Sequence, residues 1–232
     1  MTDITVIQPD PTVPIARIAT WLDDLGATYR TCRLFEESVP ALTDCGHGII
    51  VLGGAMDALS EVTAPWLPAL RILLHDAHAN HVPVIGICLG HQIIADCFGG
   101  TVTVSAPGQG QEGAAIVQLT SEGEQDPLLG VLPRCFDVAE SHFDAVTSLP
   151  PDAQLLATGE RCPVQAFRLG SIVGVQFHPE ATPELVEQWS KTNGTDSAAI
   201  AARTRAVDSR IDANGRALIS AFVQQLCVAE LA

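Results

Sequence analysis

Two short runs, "HGIIVLGG" (residues 47–54) and "VPVIGIC" (82–88), constrain the fold more than anything else in the chain. Each is almost continuously apolar and ends in glycine or another small residue. A strand with one wet face alternates polar and apolar side chains, so a run apolar on both faces needs cover on both. Between the two runs, Leu67, Leu70, Leu73 and Leu74 fall at the spacing of one helical stripe within residues 64–78. Strand, helix and strand in this order are the unit of a parallel sheet with helices packed on its faces.

The flanking segments extend that unit. Residues 4–8 read as a strand ended by "PDPTVP", residues 15–25 as a helix stopped by Gly26, and "YRTCRLF" (29–35) alternates like a strand. Beyond Gly99–Gly100, "TVTV", "AAIVQLT", "RCFDV", "AQLLATG", "CPVQAFRLG" and "SIVGVQF" are β-like, with few helical patterns among them. They predict mixed or hairpin strands that extend or flank the parallel sheet. Residues 183–190 and roughly 196–229 turn helical, the latter with Ile211, Leu218, Ile219, Phe222 and Leu226 on one face and "SKTNGTDS" linking the two. The expected architecture is α/β: an open, mostly parallel sheet with helices on both faces and a C-terminal helical extension. A core domain of residues 1–190 and an extension of residues 191–232 are expected, the extension packed on its own sheet or offered to a second copy or partner.

Charge and cysteine usage exclude several functions. A formal charge of -15, with Lys191 the sole lysine, leaves no basic footprint for nucleic acid. The 7 cysteines are scattered, odd in number and without a CxxC pair, as expected of reduced thiols with neither disulfides nor a zinc cluster. The first ten residues show no basic-then-apolar signal pattern, and no apolar run reaches membrane-spanning length. A soluble cytoplasmic protein without a metal is the expectation.

Three loops carry the chemistry. In "IGICLG" a buried strand turns into a helix near Leu89, and Gly86 and Gly90 remove side chains where such an elbow is crowded. Cys88 at its tip would meet the N-terminus of the following helix, which favours a thiolate. Read alone, the same segment is a buried strand cysteine with incidental glycines. In "VQFHPE", His178 and Glu180 are two residues apart on an extended segment and share a side, so the carboxylate can fix the imidazole's tautomer. Read alone, "HPE" is a turn before a helix. In "VLGGAMDA", Gly53 and Gly54 can turn backbone N–H groups toward a forming oxyanion, together with that of Leu89. Read alone, this too is only a strand-to-helix turn. All three loops are expected at one edge of the sheet, where a nucleophile, a base and an oxyanion site would meet.

With these motifs in place the chain resembles the class I (triad-type) glutamine amidotransferases, with the amidotransferase domain of GMP synthase and its free-standing relatives most similar. The family pattern G-x-C-x-G-x-Q reads Gly86-Ile87-Cys88-Leu89-Gly90-His91-Gln92. The resemblance spans roughly residues 45–187. It implies a flavodoxin-like fold, with Cys88 as nucleophile and His178 and Glu180 completing a triad. It also implies Gly53, Gly54 and Leu89 as oxyanion and cradle backbone, and Gln92 as a contact to bound glutamine. "SHFDAV" matches the family's S-H-x-D-x-V, which implies Ser141 and His142 beside the amino-acid end of the substrate.

His142 is not expected to be the base, because no carboxylate is evident beside it as Glu180 is beside His178. Asp144 is the one neighbour to consider. His91 reads as a helix or interface residue. Two loops depart from the family: Ala55 stands where members commonly have proline, and "GQGQEG" (108–113) lacks the usual tyrosine. Loss of the proline is expected to free the first loop's backbone. The resemblance implies hydrolysis of the glutamine side-chain amide through a cysteine thioester, without cofactor, and ammonia supply to a separate synthase. No phosphate-binding G-x-x-x-x-G-K-[ST] loop or synthetase domain is seen. Two alternatives stand beside it: a hydrolase of γ-glutamyl amides or peptides, and a non-enzymatic thiol sensor on a distantly similar scaffold.

Overall fold

The two apolar runs lie in the middle of a nine-stranded sheet. The computed structural model describes residues 2–229, so the last three residues of the expected extension lie outside the described residues. The first run forms β3 (Gly48–Val51) and the second β4 (Val84–Ile87), every residue of both being buried. They pair in parallel, with β1 (Asp3–Gln8) and then β2 (Thr28–Arg33) on the other side of β3. β11 (Ile172–Val175) lies parallel to β4 on its far side, in a register that sets Val175 against Ile87. Continuous apolarity is thus explained by two-sided cover. Beneath one face, α2 (Leu67–Ala79) and α3 (Leu89–Cys97) pack their leucines and isoleucines against Ile49, Val51 and Val84. Against the other face, α1 (Arg17–Asp24) and the C-terminal helix cover Ile4, Val6, Ile50 and Ile85.

The strands after Gly100 pair antiparallel with one another, as the scarcity of helical patterns leads one to expect, and only β11 also joins the parallel half through β4. β10 (Ala166–Leu169), β9 (Gln154–Gly159), β6 (Gln111–Leu119) and β7 (Cys135–His142) continue the sheet in the order β11-β10-β9-β6-β7. β5 (Thr101–Thr103) and β8 (Ala145–Ser148) form a separate small pair. Sequence reading shortened two strands. β6 begins at Gln111, within the "GQGQEG" loop, and β7 runs through Ser141 and His142, which were expected in a loop. It also passed over α4 (Ser121–Gln125), whose cap is Thr120, its hydroxyl accepting from Gly123 N–H at 3.0 Å.

α5 (Pro183–Thr192) starts with a Thr182 cap, and α6 (Ser197–Ala229) is one continuous helix. At 1.5 Å per residue α6 is about 50 Å long, enough to cross the whole sheet. Its buried residues Ile211, Leu218, Ile219, Phe222 and Leu226 pack on the core. Close approach is built in at Gly48, where a Cβ would lie 2.7 Å from Leu226. Arg17 adds a two-pronged bond to Asp208 at 2.8 Å, and Asn214 donates to the Asp137 carbonyl at 3.0 Å. Apolar burial dominates here, since ion pairs open to solvent such as Arg210–Asp137 are screened by water and contribute little. No helix among the described residues is long and apolar enough to cross a membrane.

Candidate active site

Cys88 sits where β4 turns into α3, with φ 50 and ψ -102. A side chain in that region of backbone space costs on the order of 1–3 kcal/mol and persists only when its surroundings impose it. Here Cys88 N–H donates to Val175 O at 2.9 Å, and Gln92 N–H donates to Cys88 O at 3.0 Å. The two glycines act by closeness. A Cβ on Gly90 would stand 2.4 Å from Val51 O, and one on Gly86 would stand 2.7 Å from the Gly90 carbonyl. The elbow therefore presses α3 against β3 and aims the thiol along the carboxyl edge of the sheet, at a helix N-terminus.

The other two loops emerge at the same edge. His178 follows β11, and its N–H donates to Ala139 O of β7 at 2.8 Å. Its Nδ1 donates to Glu180 Oε1 at 2.7 Å, which leaves Nε2 for the sulfur side. The pair is buried, Glu180 completely. Trp189 of α5 stacks obliquely on the imidazole at 4.7 Å and anchors itself by donating to Thr12 O at 2.9 Å. Burial acts to lower the His178 pKa, but the Glu180 carboxylate and the hydrogen-bonded Cys88 thiol overcome it, raising the pKa well above 6.5. An imidazole that holds a proton this firmly is suited to taking one from the thiol and delivering it later to a leaving group.

A cavity of about 290 Å³ opens over the thiol, and Gly54, Gln92, Ser141, His142 and His178 are among its walls. Gly53 and Leu89 stand behind this wall. A Cβ on Gly53 would be 2.9 Å from His178 Cε1, so its glycine identity keeps room for the imidazole. Leu89 buries its side chain and begins α3, so its N–H has no carbonyl of its own helix to meet. The Gln92 amide is already engaged, donating to Asp144 O at 3.0 Å and Gln176 Oε1 at 3.1 Å. It shapes the wall and holds the turn after β7.

The first loop is not freed by the missing proline. Asp10 Oδ2 accepts from Ala55 N–H at 2.9 Å, while its Oδ1 accepts from Thr12 N–H at 2.8 Å and the Thr12 hydroxyl at 2.7 Å. One buried carboxylate thus ties the β1 loop to the β3 loop. His142 also requires a correction. Glu140 Oε2 lies 3.3 Å from His142 Nε2, both side chains being buried, so a carboxylate does stand beside this histidine. Asp144 instead contributes its backbone carbonyl, which accepts from His142 Nδ1 at 3.0 Å. His91 is fully buried in α3 against Phe167, and burial pushes its pKa down to about 3, so it stays neutral.

Asp10, Glu140 and Trp189 are the site residues that sequence reasoning missed. Glu140 had a legible signal, because E-x-H on a strand puts both groups on one face, as H-x-E does at residues 178–180. Asp10-Pro11-Thr12 has the form of an Asx turn, but its second bond to Ala55 is long-range. Trp189 has no local signal.

Similarity to known proteins agrees with this geometry. The family description "Glutamine amidotransferase class-I" matches residues 19–190. The chain is 48% identical over 112 residues to a subunit of the glutamine-hydrolyzing GMP synthase of Thermococcus kodakarensis, covering 47% of this chain and 56% of that protein. The corresponding protein of Pyrococcus furiosus is 46% identical over 113 residues, with the same coverage. The chain therefore spans about half the length of these curated relatives. Among solved structures, a glutamine amidotransferase from Methylobacillus flagellatus superposes with a TM-score of 0.83 at 26% identity, covering 97% of this chain and 95% of that one. One from Thermotoga maritima superposes with a TM-score of 0.84 at 21% identity, covering 96% and 98%, a likeness of fold. With the family pattern matched across most of its length and the Cys88 elbow, His178 and Glu180 meeting at one sheet edge, the chain belongs to the class I glutamine amidotransferases.

Proposed function

We propose that this protein hydrolyses the side-chain amide of glutamine through a thioester on Cys88 and supplies the ammonia to a separate acceptor enzyme. The carrying observation is the buried His178–Glu180 pair, joined at 2.7 Å and coupled to the thiol at a strained elbow. A thiol sensor has no use for a histidine oriented by a carboxylate.

The chemistry follows from the groups present. The Cys88 thiolate attacks the amide carbon, and the C–S bond forms as the carbonyl π pair moves onto oxygen. The backbone N–H groups of Leu89 and of the Gly53–Gly54 loop are the donors proposed to hold that oxyanion. The oxyanion collapses, the C–N bond breaks, and His178 delivers its Nε2 proton to the departing ammonia. Neutral His178 then takes a proton from water as the hydroxide adds to the thioester, and C–S cleavage returns the thiolate with glutamate. Glu180 stays ionised throughout and keeps the imidazole's tautomer. Ser141, His142 and Gln92 line the cavity, and the proposal assigns Ser141 and His142 to the amino-acid part of the substrate and Gln92 to a further contact with it.

The relatives named as GMP synthase subunits make a separate synthase the favoured acceptor. A second reading, hydrolysis of γ-glutamyl amides, has one observation in its favour. The same cavity is also lined by Gln188, Thr192 and Asn193 of α5 and its end, which offer polar room for a larger amine. Ammonia release by the purified chain from glutamine, against amine release from a γ-glutamyl amide series, separates the two. Preference for glutamine, by the chain alone or in the presence of a separate GMP synthase partner, supports the proposal; rapid cleavage of bulky γ-glutamyl amides beside negligible glutamine cleavage overturns it.

A further inference from the structure

The catalytic pair at residues 178–180 has a counterpart on the other side of the thiol. Glu140 and His142 project from the same face of β7, and Ser141 between them turns the other way. Glu140 is fully buried, and among the described residues His142 Nε2 at 3.3 Å is the one basic nitrogen within ion-pair distance of it; neither carboxylate oxygen makes a directed hydrogen bond to them. The Asp144 carbonyl fixes the proton on His142 Nδ1. Nε2 therefore faces the Glu140 carboxyl, 3.3 Å from Oε2. Both nitrogens of His142 are thus turned to protein rather than to the cavity that its ring lines.

The backbone of this segment touches both reacting residues. The Ala139 carbonyl accepts from His178 N–H at 2.8 Å, and the Ser141 carbonyl lies 3.8 Å from Cys88 Sγ as its acceptor. β7 is the edge strand of the sheet, bonded along one side to β6 alone among the described strands. Its last four residues are laddered on one side only, to residues 111–114 of β6, so side-chain contacts and the His178 N–H act on the other. We propose that Glu140 is a positioning residue: through His142 it fixes the end of β7, whose two carbonyls set His178 and Cys88 against each other. The titratable groups around the pair are His91 from α3, Cys162 from the loop before β10, and Cys88 with His178–Glu180 across the cavity floor. His91 is neutral and burial pushes the Cys162 thiol up to about 12, so neither supplies a compensating charge.

This inference rests on the assignment of Cys88 as nucleophile, but its test does not depend on which amide is cleaved. The variants are E140Q, E140L and the double variant E140M/H142L. The last removes both polar groups together, the change to which buried pairs are most tolerant. Two quantities are measured on the full chain: kcat and KM per titrated active site, and the rate of iodoacetamide alkylation at the Cys88 peptide without substrate. A displacement approaching 1 Å costs about 10- to 100-fold in rate. E140L and the double variant should therefore lose at least about tenfold in kcat and in Cys88 alkylation, with E140L changing KM by less than about threefold. E140Q, whose amide can donate to Nε2 in the same shape, should stay within about threefold of the parent in both.

Parent-like kcat and alkylation in the folded double variant overturns the proposal, and so does an E140Q loss as large as that of E140L. Should E140L fail to fold, the Cys88 alkylation rate of the double variant without substrate decides, because His142 also lines the cavity and its loss affects turnover by itself. If glutamine is not the substrate, the alkylation rates still decide between the outcomes.

Discussion

Placing a methyl group on Gly90 tests the elbow at its tightest point. The added Cβ would stand 2.4 Å from Val51 O and 3.1 Å from Val51 C. An unstrained carbon–oxygen contact is about 3.3 Å, so α3 must withdraw from β3 by roughly 1 Å. No flexible side chain lies in the way to yield, because the opposing atoms are backbone of a fully buried central strand. Forced overpacking of this kind costs about 1–3 kcal/mol, which lowers the melting temperature by several degrees. The catalytic effect should be larger. Cys88 caps the same helix and Leu89 is its first residue, so a withdrawal of about 1 Å moves the sulfur and the oxyanion donor together. A rate loss of about 100-fold is expected from a displacement of that size. The assay is ammonia release per active site, with sites counted by stoichiometric labelling of Cys88 and folding followed by thermal melting. Gly90→Ala with parent-like turnover and melting temperature would refute the close-packing account of the elbow.

Two further predictions concern charge. His178→Ala should reduce kcat by about 10⁵- to 10⁶-fold and Glu180→Gln by about ten- to a hundredfold less, in the order seen where a base outweighs its orienting carboxylate. Because the His178 pKa is raised in the folded protein, its imidazolium stabilises the fold fully below about pH 6.5, and that contribution is lost as pH rises through the raised value. The alkaline limb of the rate profile should accordingly lie well above pH 6.5 in the parent and move down in Glu180→Gln; an unmoved limb would remove Glu180 from the site's electrostatics. Away from the site, Asp126 is buried, accepts a two-pronged bond from Arg168, one arm at 3.0 Å, and caps Leu128 and Leu129 N–H at 2.8 and 3.0 Å. Burial works to raise its pKa, but these donors prevail and depress it below 3.8, so its stabilisation is present above that pH and lost on acidification through the depressed value. Asp126→Ala should cost about 3–5 kcal/mol by denaturant melting at neutral pH and show a weaker loss of stability on acidification than the parent.

Much of the parallel half was legible because its physics is local in sequence. Unbroken apolar runs at residues 49–52 and 82–88 can only be covered strands, and the leucine stripe between them can only face that cover. The elbow was legible for the same reason, since Gly86 and Gly90 act within a few residues of Cys88. What escaped reading depends on contacts distant along the chain. Asp10 meets Ala55 across two strands, and Trp189 meets His178 from a helix whose face the sequence does not fix. Ser141 and His142 were expected in a loop because "SHFDAV" matches a loop motif of the family, yet pairing with Gln111 and Glu112 extends β7 through them. The expectation of a loosened first loop failed because it considered the missing proline and not a carboxylate 45 residues earlier.

The central claim is that Cys88, alone among the chain's thiols, is a nucleophile, set in the cavity proposed to receive glutamine. Cys135 and Cys227 are the exposed cysteines, whereas Cys88 is only 5% exposed, so simple accessibility and activation predict different labelling sites. The most direct measurement is peptide-resolved mass spectrometry after brief exposure to a chloroketone analogue of glutamine, with and without excess glutamine. One adduct on Cys88, suppressed by glutamine and slowed strongly in His178→Ala, is the predicted result. Labelling of Cys135 or Cys227 ahead of Cys88, or Cys88 labelling that glutamine does not suppress, would contradict it.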